Sequence, residues 1–297
     1  MEIIRQGGRK RMRSKSVKPI TILKWMIPVA VLAYVYYPTF VWMWDRWFAG
    51  DSYYSHGFLI PLVSLYWIFQ QRKKLAKLKQ ESSLLGLGIL VFGIVLQVIS
   101  SVLRIYFLSA ISLIVVLLGA VHFLFGIKIF KATWFPIGFL FLMIPLPLLI
   151  ISEITLQLKF FVAQVAVQLL NASGIPALRE GSYIQMRHAE VLVGDPCSGL
   201  RSFLAFLCLG FVFAYGEGIA FWKRATMVLI AFPLAIVSNI GRVFLLGLVG
   251  EIYGVEAIHG WFHEGSGILS FSIAFIFLLM MRKQLEAMPN YSMPRVQ

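Results

Sequence analysis

Apolar residues in this chain fall in runs about as long as the hydrocarbon layer of a bilayer is thick, and nothing else in the sequence restricts the fold as strongly. The runs lie near 20–44, 57–71, 84–103, 105–125, 133–152, 200–216, 225–249 and 265–281, most of them with few or no charges. Crossing a bilayer as a helix takes about 20 apolar residues, and only helices and closed barrels satisfy their backbone groups there. Composition agrees. The chain is 59% hydrophobic and 13% charged, where a soluble domain runs at about 45–50% and 25%. The expected fold is an all-α integral membrane protein of about eight transmembrane helices, with an extracytoplasmic segment at about 153–199 ahead of the sixth.

A net charge of +14 raises the question of a nucleic-acid partner. The charge is not spread over a surface, however. Seven Lys and Arg crowd residues 5–18, and five more sit at Arg72, Lys73, Lys74, Lys77 and Lys79. Clusters that flank apolar spans mark the cytoplasmic side and draw anionic lipid headgroups, so membrane lipids are expected partners and nucleic acid is not. With the N-terminus inside, the inner segments are 1–24, 71–80, 126–132, 217–224 and 282–297. They hold 20 of the chain's 27 Lys and Arg. Both termini are therefore expected in the cytoplasm, as a basic N-terminal stretch 1–19 and a tail 283–297 around a polytopic domain 20–282. The first apolar stretch is too long for a signal-peptide core and no small-residue cleavage pattern follows it, so it reads as an uncleaved span.

Function is sought on the outer side. The loop 45–56, DRWFAGDSYYSH, is polar and aromatic. After it, the long outer segment opens with a helical pattern of few charges, fit to lie in the interface or to sit partly buried. The stretch SYIQMRHAEVLV then alternates as a strand or hairpin would and leads to Gly194-Asp195-Pro196-Cys197.

Ionisable residues inside spans or at their ends are costly, which makes them functional candidates. Cys197 precedes the sixth run, Arg242 lies in the last third of the seventh and His263 opens the eighth, so all three share one membrane depth on the outer side. A thiol attacks as thiolate, and a helix N-terminus or nearby cation promotes that form. His263 can take the thiol proton and return it to a leaving amine, while Arg242 can hold an oxyanion. Asn239, one turn before Arg242, can orient that side chain or add a second donor. Arg201 reads as an interface anchor, a lipid-phosphate ligand or a cation for the thiolate. Cys208, mid-span in LAFLCLG, reads as a small buried hydrophobe. A bridge to Cys197 is unexpected, because eleven helical residues separate the two by about 16 Å. His259 and His263 stand four apart with Glu264 following, but that order differs from H-E-x-x-H and no third ligand is evident. No metal or other cofactor is expected.

At these residues the sequence resembles the exosortase/archaeosortase membrane enzymes. The resemblance lies in GDPCSGLRS around Cys197, SNIGRV around Arg242 and HEGSGILSF around His263, with YYSHGFLIPLVS at 53–64 and FLMIPLP at 141–147 in support. It runs in order from about residue 43 to 275. The resemblance implies a cysteine protease-transpeptidase of the cell inner membrane, with Cys197 as nucleophile, Arg242 as charge stabiliser and His263 as proton carrier. His263 is preferred to His259 because Gly267 and Phe271 follow it at the family's H-x-x-x-G-x-x-x-F spacing. Asn239, Arg201, Ser198, Asp195 and His56 are the supporting or substrate-binding candidates. The implied substrate is a secreted protein with a C-terminal sorting signal: a short motif, a transmembrane helix and a basic tail. The implied reaction cleaves through a thioester and passes the new C-terminus to an acceptor such as a lipid amine. Hydrolysis without transfer, a metal-dependent hydrolase and a polysaccharide-export component are the other readings.

Overall fold

A computed structural model describes residues 19–215, 220–258 and 260–289. The basic N-terminal cluster, the start of the inner loop at 216–219, His259 and the end of the tail lie outside the described residues. The first apolar run is two helices, α1 (Pro19–Val35) and α2 (Tyr37–Phe48), bent by 64° at Tyr36. Pro38 in the first turn of α2 has no N–H to continue the ladder of α1, which is the usual cause of such a bend.

The break is stabilised from α5 (Leu84–Leu103) and α6 (Tyr106–Phe125). Gln97 Nε2 donates to Val35 O at 3.4 Å, while its Oε1 accepts from Ser109 Oγ at 2.7 Å and Ser112 Oγ at 2.9 Å. Tyr36 and Thr39 join the same buried network through Ser112 and Ser109. Polar groups in an apolar layer need partners, and this cluster supplies them to one another. α5 and α6 form a tight antiparallel pair. A Cβ at Gly86 would lie 2.3 Å from Phe123 N, and one at Gly119 2.5 Å from Leu90 N, so glycine lets the two backbones touch.

Next in order come α3 (Leu59–Gln70), a single turn α4 (Arg72–Leu75) carrying the second basic cluster, and α7 (Ile127–Phe139). The expected span at 133–152 is not one helix. After α7 come a 3-10 turn at Leu140–Met143 and an extended Ile144-Pro145-Leu146-Pro147, and α8 (Leu148–Ala172) then begins afresh. Two prolines remove donors and hold the residues before them extended. α8, expected as an interfacial stretch, is 25 residues and of span length. Among the described residues, five helices (α5, α6, α8, α10, α11) are long and apolar enough to cross a membrane, six if the bent α1–α2 pair counts as one span. α3 and α9 are apolar but only 12 and 15 residues long, so the expected count of about eight is met by a mixture of long, bent and short apolar elements rather than by eight helices of span length.

The alternating stretch folds as expected and gains a strand. β1 (Leu178–Glu180), β2 (Tyr183–Gln185) and β3 (Glu190–Leu192) form an antiparallel sheet with Tyr183 opposite Leu192. Then α9 (Leu200–Ala214), α10 (Phe221–Tyr253) and α11 (Trp261–Ala287) make a three-helix unit around Phe206, Ala231, Ala235, Ala274 and Leu278. α8 lies along the C-terminal half of α10, with Leu170 against Gly247, and the sheet is seated there through Ala189 on Gly250. Outward-facing apolar side chains such as Val102 (77% exposed), Leu149 (84%) and Ile268 (70%) are numerous. With several helices of span length, such a surface identifies a multi-pass membrane protein.

Candidate active site

α9, α10 and α11 alternate in direction, so the start of α9, the second half of α10 and the start of α11 meet at one end of the unit. Cys197 sits in a 3-10 turn, Asp195–Cys197, ahead of α9. Its N–H donates to Gly194 O at 3.0 Å, and the Ser198 hydroxyl donates to Asp195 O at 2.8 Å. The turn thus closes on itself and leaves the cysteine carbonyl for α10: Asn239 Nδ2 donates to Cys197 O at 2.7 Å.

Cys197 Sγ lies 3.6 Å from His263 Nε2, within reach of a sulfur hydrogen bond. Arg242 Nη2 donates to His263 O at 3.0 Å, and its Nε reaches Ser266 Oγ at 3.4 Å. Ser266 also donates to His263 O, at 2.9 Å. A guanidinium fork thus grips the first turn of α11 and fixes the histidine from behind. The three residues expected to share a depth are in one cluster.

The electrostatics depart from expectation in one respect. Cys197 is 2% exposed, and burial pushes its thiol above the ordinary value, with the Arg242 guanidinium acting in the opposite direction. Desolvation of the sulfur outweighs the cation, which disfavours a preformed thiolate.

The supporting candidates divide. Asn239, expected to orient Arg242 or to add a second donor beside it, donates to the nucleophile's carbonyl. Ser198 braces its own turn. Asp195 has an exposed carboxylate paired at 2.5 Å with Lys159 Nζ of α8. Arg201 is partly buried in the first turn of α9, its Nε enclosed with no partner among the described residues. His56, in the loop before α3, stacks on Tyr54 with ring centroids 6.2 Å apart, and burial lowers its pKa. Its Nε2 is enclosed without a partner among the described residues. Cys208 is buried and unbridged, as is Cys197. Sequence reading passed over Ser266 and Lys159. The first is betrayed only by its i+3 spacing from His263, the second only by a charge in an otherwise apolar stretch.

Comparison with curated proteins and with solved structures gave no match. The family model described as Transmembrane exosortase (Exosortase_EpsH) matches residues 44–280, a range that runs from the end of α2 through α8 and the sheet into α11 and takes in all three residues of the Cys197 cluster. With most of its length matched, this chain belongs to the transmembrane exosortase family.

Proposed function

We propose that this protein is a membrane cysteine protease-transpeptidase that cleaves C-terminal sorting signals of secreted proteins on the extracytoplasmic side. The observation that carries the reading is the 3.6 Å approach of Cys197 Sγ to His263 Nε2, with Arg242 holding the histidine's carbonyl. His263, in the tautomer with Nε2 unprotonated, takes the thiol proton as sulfur attacks the scissile carbonyl. The oxyanion is stabilised by the Arg242 charge. Collapse of the intermediate breaks the C–N bond, and His263 protonates the departing amine. The thioester left on Cys197 passes to an amine acceptor, or to water, whose proton His263 accepts before the thiol is restored.

Basic-residue asymmetry and helix length support this placement of the site. From Lys223, near the start of α10, to Arg242 is 19 residues, or about 28 Å of rise, close to the ~30 Å hydrocarbon thickness. With Lys223 and both termini on the cytoplasmic side, Arg242 comes to the outer edge of the lipid. The last third of α10, with the sheet, then stands beyond it.

The test is mass spectrometry of the new C-terminus of a co-expressed substrate bearing a sorting motif, helix and basic tail. A truncated chain with an added amine mass establishes transfer, and a free acid establishes hydrolysis. An uncut substrate in the presence of folded enzyme, or cutting that survives Cys197→Ala, refutes the proposal.

A further inference from the structure

Lys159 is an unusual residue for α8. The helix is 25 residues long and apolar enough to span a membrane, yet it carries this lysine near its middle with the side chain only 19% exposed. A charge in such a setting is costly and calls for a partner. Its partner is Asp195, at 2.5 Å, two residues before the nucleophile. Asp195 is 65% exposed, so the carboxylate is not itself in need of rescue. The contact serves the turn.

That turn is held from two sides. Asn239 of α10 grips Cys197 O, and Lys159 of α8 grips the Asp195 side chain. Within it, Asp195 O accepts both the N–H and the hydroxyl of Ser198, so a pull on Asp195 is passed to the residue on each side of the sulfur. With only the Asn239 anchor, the turn could pivot about the cysteine carbonyl. A second anchor on a different helix removes that freedom and fixes the distance from Sγ to His263 on α11. The pair borders an open cleft of about 480 Å³ that Thr155 and Ser152 of α8 also line, so it lies where a bound chain would approach the turn.

We infer that Lys159 is a positioning residue of this site, acting through Asp195 to hold the Cys197 turn so that the thiol stays in reach of His263. The inference rests on the thiol–imidazole pairing proposed above but needs no substrate to be tested. The probe is iodoacetamide, and the readout is the pH dependence of Cys197 alkylation in the full-length, detergent-solubilised protein carrying Cys208→Ala. The part of the rate lost in a His263→Ala control reports imidazole assistance. Lys159→Met and Asp195→Asn should each reduce that part about tenfold, and Lys159→Arg should retain it. The exchange Lys159→Asp with Asp195→Lys should recover most of it.

Asp195→Asn separates positioning from simple charge. If Lys159 mattered only as a cation, removing the nearby carboxylate would leave the assisted rate intact or raise it, and that outcome overturns the inference. So does a wild-type profile in Lys159→Met. Should Lys159→Met fail to fold, Asp195→Asn cuts the same tether from its exposed side and decides the matter alone. A wild-type protein with no His263-dependent rate refutes the thiol–imidazole reading itself. An assisted rate unmoved by either variant refutes only the tether.

Discussion

Gly267 lies directly under the guanidinium of Arg242: a Cβ built on it would sit 3.2 Å from Arg242 Cζ and 3.3 Å from Nη2. That gives a physical reason for glycine four residues after His263. A methyl there would press on the fork by a few tenths of an ångström, and a larger side chain would displace it further from the His263 carbonyl. Gly267→Ala should reduce substrate processing about tenfold or more, as small misplacements of catalytic groups do, and Gly267→Val should reduce it further. The check is single-turnover cleavage beside a melting curve. Full activity in Gly267→Val would mean that the arginine does not need its place.

Arg242→Lys keeps the charge and loses the geometry. An ammonium cannot reach His263 O and Ser266 Oγ together as the planar fork does. The expected loss in turnover is about 100-fold, with the protein still inserted. Near-normal turnover would reduce Arg242 to an anchor.

The pH response of the thiol follows from its surroundings. Burial raises the Cys197 pKa and Arg242 opposes the rise. Removing the cation in Arg242→Met leaves desolvation unopposed, so direct thiolate formation should move to still higher pH. At any fixed pH below that midpoint the unassisted alkylation rate should fall. A downward shift would show that the guanidinium is not felt at the sulfur.

Asn239→Ala removes the donor from a buried carbonyl and should cost about 1–3 kcal/mol. Thermal unfolding and Cys197 alkylation should both change. Gln97→Leu is the matching control in the N-terminal half. It breaks the network that joins α5 and α6 to the bend at Tyr36 and should lower stability by about 0.5–2 kcal/mol. Alkylation of Cys197 should stay as it is, and a change there would reveal coupling between the two halves.

Sequence logic recovered what depends on periodicity and charge. Hydropathy located α5, α6 and α11 because nothing within them interrupts the pattern. The meeting of Cys197, Arg242 and His263 at one end of α9, α10 and α11 followed from counting residues along alternating helices. It failed where one atom decides the outcome. A hydropathy window does not register the missing N–H of Pro145 and Pro147, so the break before α8 was invisible and a helix of span length was read as a surface stretch. Asn239 was assigned to Arg242 by helical spacing, since spacing cannot show that Cys197 O would be nearer. Lys159 offered a charge without a partner, because Asp195 meets it only through the fold.

The length of α10 has a consequence for how the membrane itself enters the chemistry. On the placement proposed above, the rung bearing Arg242 is set by a single helix counted upward from Lys223, so the protein carries its own ruler, foreshortened only by tilt or bending. Lipids with longer tails would drown the sulfur in oil, and shorter ones would strand it in open water. On the outer-edge placement proposed above, bilayer thickness then sets how much lipid surrounds the sulfur, through molecules that never occupy the site.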